Sequence, residues 1–508
     1  DVLDTWFSSA LWPLSTMGWP NASDHGMEGL LETFNPTSVL STAREIITLW
    51  VSRMVMFNRY FMNGRLPFKD VFVHAVIQDG HGQKMSKSLG NGVDPRDIVR
   101  SHGADAMRFV LTQMSTDTQD VRLPVDMICP HTGETFTPEM IRTPAGHMVT
   151  APEQSCPTDP SKKMVTVYGT VSGKADVDEH RPLAGNTSSK FDIGRNFANK
   201  LWNATRFALG SLSRADQTPA GPNVSMADAP LVDRWIIARL NGALHSLDDS
   251  MNAYQFSSIA DSLYDFAWRD YCDWYLESIK PTVQGDARQC QVLLSMTDAL
   301  LRILHPVMPF VTETLWPNVR ACGERGAQGI LLPDSEVLAS ARWPRIDQSV
   351  IDHDALEQFA RVQDLVGSVR TLRGERNVTI KRRLVMFASP RVVELATASG
   401  GVIETLCGLE RIAPLSEAVS EESVVITFEG EEVLLGGLID SGDLDKERAR
   451  LSKLCEQKRK QISGFEGRLG NEAYVQKAKP ELVAETRHML ESSRAELEAA
   501  EAALSRLG

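Results

Sequence analysis

A short apolar run followed by a glycine-rich basic loop decides the fold of this chain, where residues 71–91 read VFVHAVIQDGHGQKMSKSLGN. The run over 71–77 predicts a parallel strand buried on both faces. Apolar residues at helical spacing precede it and predict a helix: Ile46, Ile47, Trp50, Met54, Phe57 and Phe61. Helix, buried strand and loop form an α/β arrangement, in which ligands bind at the carboxyl ends of the strands.

The loop after the predicted strand carries residue types that suit phosphate. It combines three glycines, two lysines and two serines, namely Gly80, Gly82, Gly90, Lys84, Lys87, Ser86 and Ser88. Glycines let the backbone close over a ligand. Ammonium groups and hydroxyls suit a triphosphate whose charge shifts as its bond to the α-phosphorus breaks. A solvated basic turn is the alternative, and the preceding strand and flanking glycines favour the phosphate interpretation.

Composition sets outer limits on fold and function. The 508 residues, 42% hydrophobic and 23% charged, suffice for several cores, so we expect three or more domains. No apolar run approaches the ~18–20 residues of a membrane span, and no signal segment opens the chain. The seven scattered cysteines favour free thiols in a reducing cytoplasm. A net charge of −13 argues against indiscriminate binding to nucleic acid, yet allows a local basic track.

Five regions differ in pattern, and we predict a multidomain chain. They are an α/β part (1–123), a loop-rich or loosely ordered insertion (124–190), an all-α bundle (191–343), a small α/β module (344–440) and an antiparallel coiled-coil hairpin (441–508). The hairpin is predicted from a seven-residue repeat of Val483, Leu490, Leu497 and Leu504. Its second helix begins near Pro480, which suits a first turn.

The K-M-S-K-S sequence at 84–88, placed after such a strand, resembles the second signature of the class I aminoacyl-tRNA synthetases. The resemblance implies that 1–123 is half of a Rossmann-type catalytic domain and that its substrate ATP arrives with Mg²⁺. It also implies ATP-binding residues, which are Glu45, Lys84, Met85, Ser86, Lys87 and Ser88. Lys84 and Lys87 would be the catalytic cations, and Glu45 stands where many relatives carry an aspartate that contacts the ribose.

Four further segments resemble the valine branch of this family more closely than its isoleucine or leucine branches. They are DTWFSSALWP at 4–13, GWP at 18–20, EIITLWVSRM at 45–54 and PFKDV at 67–71. The resemblance implies that Trp6, Ile46 and Trp50 wall a small apolar pocket for valine. Ile46 and Trp50 are four apart and share a helical face. Plain core packing is the alternative for all three residues.

Two parts that the family uses are missing from the 508 residues, namely the H-I-G-H signature and the editing domain, which both lie upstream in relatives. Because Asp1 falls inside an aromatic-rich motif, we expect the natural start to lie upstream as well. This fragment alone should then be inactive, and the valine-ligase activity belongs to the intact protein. Two alternatives remain open: a relative that charges isoleucine, and a truncated, non-catalytic tRNA-binding protein.

Two segments suggest contacts with a valine-accepting tRNA. RNFANKLWNATRF at 195–207 resembles the helix that opens the family's anticodon-binding bundle, and its polar face carries Arg195, Lys200 and Arg206. The terminal hairpin resembles the family's tRNA-binding coiled coil, and an excess of basic residues in its first arm predicts RNA contacts: Arg448, Arg450, Lys453 and Lys458. A core helix and a solvated flank are the alternatives. The family is usually monomeric, and we expect the same here.

The insertion contains two partial metal-binding knuckles, CPHTG at 129–133 and CP at 156–157. A zinc ribbon has two cysteines in each knuckle, and here each has one. Cys129 and Cys156, with His131 or His147, would be an imperfect ligand set. We therefore predict a degenerate ribbon that binds no metal.

Overall fold

The computed structural model describes residues 3–116, 120–418, 423–438, 444–471 and 480–506. Six α-helices lie in the first part: α1 (Thr5–Ala10), α2 (Trp12–Ser15), α3 (Leu30–Phe34), α4 (Ser52–Phe61), α5 (Pro95–His102) and α6 (Ala104–Met114). Its strands form two parallel pairs: β1 (Thr37–Ala43) with β2 (Phe68–His74), and β3 (Ile77–Asp79) with β4 (Val121–Leu123). The connection from β1 to β2 is helical throughout most of its length, which confirms the helix predicted before the strand.

The predicted buried strand over 71–77 is interrupted, because β2 ends at His74 and β3 begins at Ile77. Val71 and Val73 are 44% and 37% exposed, so the prediction of burial on both faces was wrong. An apolar run reports strand propensity, but it does not report how many layers cover the strand. The register partners of these two valines in β1, Leu40 and Thr42, are buried, so the exposure of this face lies on its β2 side.

The insertion is rich in loops, as predicted, but it is built on regular elements. It contains seven short strands and one helix: β5 (Asp126–Ile128), β6 (Thr135–Phe136), β7 (Met140–Arg142), β8 (Met148–Thr150), β9 (Glu153–Ser155), β10 (Lys163–Val165), α7 (Val167–Val171) and β11 (Gly185–Thr187). The strands form three small antiparallel sheets around Met127, Cys129, Cys156, Met164 and Ala184. Strands of two or three residues are too short for alternating hydrophobicity to show in the sequence.

A helical region follows, as predicted. Its helices are α8 (Phe191–Ser213), α9 (Leu231–Asn252), α10 (Phe256–Tyr264), a π-helical segment (Asp265–Leu276), α11 (Glu277–Ile279), α12 (Ala287–Leu304) and α13 (Pro309–Ala321). Its largest fully buried side chains include Trp235, Tyr271, Tyr275 and Trp316. Helical spacing predicts one apolar stripe on α8, formed by Phe197, Leu201, Trp202, Thr205 and Leu209. Within it, Trp202 is nevertheless 43% exposed.

Two strands join the end of this region to the next module, β12 (Ile330–Leu331) and β13 (Arg345–Ile346), which pair antiparallel. The module contains a mixed sheet in the order β15-β14-β17-β16. Its elements are α14 (His353–Glu375), β14 (Leu384–Ala388), α15 (Pro390–Ala398), α16 (Val402–Cys407), β15 (Leu409–Pro414), β16 (Ser423–Phe428) and β17 (Glu431–Gly436). This is the small α/β module that the sequence predicted.

The chain ends in two long helices, α17 (Leu444–Leu469) and α18 (Pro480–Arg506). Ion pairs join Arg459 to Glu501 at 2.6 Å and Arg494 to Glu466 at 2.6 Å, so the helices run antiparallel. Leu451, Cys455, Val483 and Ala500 of these helices are buried, and so are the polar Thr486 and Ser493. Among the described residues, no helix combines the length and apolarity that a membrane crossing requires.

Asp233 is fully buried in α9, and we therefore expect the stability of the folded state to depend on pH in an unusual way. Burial raises its pKa to about 7, although Gln289 donates a hydrogen bond to it at 3.2 Å. The folded state therefore keeps this proton up to about pH 7, whereas the unfolded chain releases it near pH 4. The protonated Asp233 therefore makes its full contribution to the free energy of unfolding below about pH 4, and this contribution is lost as the pH rises through about 7.

We expect Asp233→Asn to raise the free energy of unfolding of the helical region at pH 8 by about 2–4 kcal/mol relative to wild type, and by much less at pH 5. Denaturant unfolding at both pH values, followed by tryptophan fluorescence, measures this difference. Asp228→Asn changes an exposed carboxylate of the same region and should alter neither value. Equal effects of Asp233→Asn at the two pH values would contradict a buried proton.

Candidate nucleotide-binding site

The loop that follows β3 is organised around one buried carboxylate, Asp79, which is 3% exposed. It accepts hydrogen bonds from the His81 and Gln83 backbone amides, both at 2.9 Å, and from the Gln83 and Asn91 side chains, both at 2.8 Å. Burial alone would raise the pKa of Asp79, but the bonds from Asn91 and Gln83 outweigh it and lower the pKa. Through these bonds, the Asp79 carboxylate joins residues at both ends of the loop.

Lys84 and Glu45, which are 39 residues apart in sequence, meet in the structure. The Lys84 ammonium lies 3.0 and 2.9 Å from the two carboxylate oxygens of Glu45. Both side chains are solvent-exposed, with 68% and 44% of their surfaces accessible. The pair is consequently weak in water and easily opened. The structure thus brings together two of the residues predicted to contact ATP.

The other predicted loop residues differ in their surroundings. Ser86 and Ser88 lie with their hydroxyl oxygens 3.1 Å apart, and the Ser86 amide donates to Asn91 at 2.9 Å. Met85 packs against the main hydrophobic core, so its role in the loop is an anchor. Lys87 is exposed and borders a cavity of about 720 Å³ on the insertion side. The two lysines therefore lie at different edges of the loop.

The residues predicted to wall an amino-acid pocket lie in neighbouring elements. Trp50 donates from its indole nitrogen to the Ser9 carbonyl at 3.3 Å, which joins it to α1, the helix that carries Trp6. Ile46 and Trp50 are half-buried, and Trp6 is 38% exposed. The Arg53 guanidinium lies 5.1 Å from the centre of the Trp6 ring, a contact that the sequence did not reveal.

The knuckle residues of the insertion lie close to one another without forming a metal-ligand cluster. Cys129 and Cys156 are buried in the same small core. A hydrogen bond from the Thr158 hydroxyl, 3.4 Å away, lowers the pKa of Cys156 to about 7, with Cys129 contributing. In the described part of the chain, no three His, Cys, Asp or Glu side chains are placed to hold a metal ion. His131 contacts the Lys163 carbonyl at 2.9 Å, and His147 is exposed.

On α8, the basic residues predicted to contact tRNA make contacts within the protein. Arg195 pairs with Asp192 at 2.5 Å, and Lys200 pairs with Asp273 at 2.7 Å. Lys200 also lies 4.9 Å from the centre of the Trp268 ring. Arg206 is exposed and donates to Asn203 at 3.1 Å.

On the hairpin, the basic residues predicted to contact tRNA differ in their exposure. Lys453 is exposed, whereas Lys458 is mostly covered and paired with Glu496. The side chains of Arg448 and Arg450 lie outside the described part of the structure.

The sequence did not single out four residues that hold the loop in place, namely Asp79, Gln83, Asn91 and Asn186. The first three adjoin the signature and carry amide or carboxylate groups that a loop of this size needs to satisfy its backbone. Asn186 lies about a hundred positions away, and nothing in the sequence pattern linked it to the loop.

Three segments of the chain match families of known proteins. Residues 1–124 match the tRNA synthetases class I (I, L, M and V), and 233–387 match the anticodon-binding domain of tRNA ligase. Residues 443–508 match the valyl tRNA synthetase tRNA binding arm. The two-lysine loop at the carboxyl end of β3 lies within the segment that matches the class I tRNA synthetases.

Several known proteins can be aligned with nearly the whole chain. The valine–tRNA ligase of Rhodopirellula baltica is 36% identical, over 98% of this chain and 47% of the relative. The valine–tRNA ligases of Thermotoga maritima and Nocardia farcinica are 33% and 34% identical, over 98% and 100% of this chain and 47% and 49% of the relatives. The chain is thus similar over nearly its whole length to valine–tRNA ligases. It spans about half the length of the curated relatives it matches.

Among solved structures, a LeuRS–tRNA–LeuAMS ternary complex from Agrobacterium radiobacter aligns with 69% of this chain and 33% of its own chain. The alignment has 17% sequence identity and a TM-score of 0.43.

Proposed function

We propose that the intact protein ligates valine to its tRNA at the expense of ATP, and that this chain supplies the K-M-S-K-S loop and the tRNA-binding parts. The observation that carries the proposal is the loop after β3, in which Lys84 meets Glu45, within a chain related over 98% of its length to valine–tRNA ligases. This chain spans about half the length of those relatives, so the activity is proposed for an intact protein of their length.

In the proposed first step, a valine carboxylate oxygen attacks the α-phosphorus of ATP. The bond from that phosphorus to the bridging oxygen breaks, and pyrophosphate leaves while valyl-adenylate forms. Negative charge moves toward the departing phosphates, where Lys84 and Lys87 stabilise it. Ser86 and Ser88 supply hydroxyl donors to the same oxygens. The Lys84–Glu45 pair opens as ATP binds, which frees Glu45 for the ribose.

Mg²⁺ fits this account as an ion carried by the phosphates of ATP. Among the described residues, no three His, Cys, Asp or Glu side chains near the loop are placed to hold a metal ion. The nearby carboxylates of Asp79 and Glu45 accept hydrogen bonds from loop amides and from Lys84. A small, strongly hydrated cation usually keeps its waters and binds through substrate phosphates. It supplies charge neutralisation, while the loop lysines position the β- and γ-phosphates.

For valine, we propose a pocket formed by Trp6, Ile46 and Trp50. All three carry apolar surface, and the hydrogen bond from Trp50 to Ser9 fixes the indole ring against α1. A pocket of this kind selects by size and shape, since its walls offer few polar groups to a branched side chain.

For tRNA, we propose contacts from Arg195, Lys200 and Arg206 on α8 and from Arg448, Arg450, Lys453 and Lys458 on the hairpin acting as a coiled coil. Arg206 and Lys453 are the best placed among those described, because both are exposed. Lys458 contributes mainly by holding the two arms together through Glu496. We further propose a monomeric, cytoplasmic protein.

Charging of tRNA by the purified intact protein tests this function. We expect valine, ATP and Mg²⁺ to give acid-precipitable valyl-tRNA, at a rate that falls as salt weakens the phosphate contacts. A protein that binds tRNA but transfers no amino acid would contradict the proposal and would support the non-catalytic alternative.

A further inference from the structure

The insertion has no function assigned by the family matches, which end at residue 124 and resume at 233. In the structure, however, it is the part of the protein that contacts the K-M-S-K-S loop at both of its ends. The contacts are made by side-chain amides, and each joins residues at least 65 positions apart.

The first contact lies immediately before Lys84. The Gln83 side chain donates to the Met148 carbonyl at 2.7 Å and accepts from the Met148 amide at 2.8 Å. The Gln83 side chain thus satisfies both backbone hydrogen-bonding groups of Met148, the first residue of β8. The side-chain nitrogen of Gln83 also donates to the Asp79 carboxylate, at 2.8 Å. Gln83 therefore joins the insertion to the carboxylate that organises the loop.

The second contact lies directly after the signature. Asn186 of β11 is 3% exposed, and its amide nitrogen donates to the carbonyls of Gly90 and Gly92 at 2.9 and 2.8 Å. Gly90 has a φ of +60° and leaves no room for a side chain, since a Cβ there would lie 2.5 Å from the backbone nitrogen of Tyr168. At Gly90 the backbone of the loop is thus packed directly against the backbone of the insertion.

Asn91 transmits both contacts to the tip of the loop. Its amide nitrogen donates to Asp79 at 2.8 Å, and its oxygen accepts from the Ser86 amide at 2.9 Å. Ser86 lies between the two lysines. A displacement at either contact therefore reaches the segment that carries both catalytic cations.

We propose that the insertion, residues 124–190, is the positioning element of the K-M-S-K-S loop, with Gln83 and Asn186 as its two attachment residues. The inference rests on the proposed function, because it assigns a role in the same ATP site. A flexible loop of glycines and lysines samples many conformations, and ordering it costs conformational entropy. The two amide contacts remove much of that freedom before ATP binds. Misplacement of a catalytic group by about 1 Å is enough to lower a rate by about 10²-fold.

Valine-dependent ATP–pyrophosphate exchange by the intact protein tests the two attachments. We expect Gln83→Ala and Asn186→Ala each to lower kcat by about tenfold or more, with the KM for valine within about twofold of wild type. Gln154→Ala is the matched control. Gln154 makes the same two-sided contact with Glu139 at 3.0 and 3.1 Å, but it lies wholly inside the insertion. Its removal should leave kcat within about twofold of wild type.

A second measurement separates positioning from general destabilisation. Trypsin should cleave after Lys84 and Lys87 several-fold faster in Gln83→Ala and Asn186→Ala, while Gln154→Ala and wild type are cut at equal rates. Unchanged kcat and unchanged cleavage in both attachment variants would overturn the inference, as would an equal loss in Gln154→Ala. Absence of exchange in the wild-type protein would instead refute the proposed function, so the two failures are distinguishable.

Discussion

Lys87→Ala in the intact protein should lower the rate of valine-dependent ATP–pyrophosphate exchange by about two to three orders of magnitude. In the proposed mechanism the Lys87 ammonium group stabilises charge that develops on the departing phosphates, and loss of one such contact commonly costs about 3–4 kcal/mol of transition-state stabilisation. Lys87 is exposed and borders an open cavity, so its truncation removes no packing. The loss should appear in kcat and leave tRNA binding nearly unchanged.

Steady-state exchange assays and filter binding of tRNA measure the two quantities. Lys69→Ala, which removes an exposed lysine of β2, serves as the matched control and should exchange at the wild-type rate. An exchange rate for Lys87→Ala within a few-fold of wild type would remove Lys87 from the mechanism.

The largest effect on stability should come from Asp298 in α12, which is fully buried. It accepts hydrogen bonds from Arg302 at 2.5 Å and from Arg325 at 3.1 Å. Both guanidinium groups are also buried, and they lie 5.0 and 5.7 Å from the centre of the Trp316 ring. Truncation of Asp298 leaves two buried cations without their shared counter-charge. We therefore expect Asp298→Ala to lower the free energy of unfolding by about 3–5 kcal/mol.

Asp334 provides the comparison, since it pairs with Arg320 and Arg325 at the surface with 57% of its side chain exposed. Asp334→Ala should cost about 1 kcal/mol or less, because solvent screens such pairs. Urea unfolding of the two variants measures both values. Similar losses in both would show that burial does not govern this network.

The sequence predicted the loop of the candidate site, because the residues that suit phosphate are close together along the chain. The lysines, serines and glycines of the loop lie within eleven residues, and their combination suits phosphate wherever the loop lies. The structure then placed Lys84 against Glu45, a pair that the resemblance had implied only as two separate ATP contacts.

What the sequence did not predict depends on three-dimensional surroundings. Val71 and Val73 belong to an apolar run, but their exposure is decided by which layers cover the sheet. Trp202 follows the helical period of a core residue and is nevertheless 43% exposed. Asn186 contacts Gly90 across 96 residues through a single amide, and no local pattern reports such a contact. Periodicity describes one element at a time, whereas these features arise between elements.

The most direct test of the central claim compares valine with isoleucine in ATP–pyrophosphate exchange catalysed by the intact protein. We expect the wild-type protein to catalyse exchange, with a higher kcat/KM for valine than for isoleucine. A higher kcat/KM for isoleucine would assign the protein to a different branch of the class I synthetases. No exchange with either amino acid would contradict the central claim.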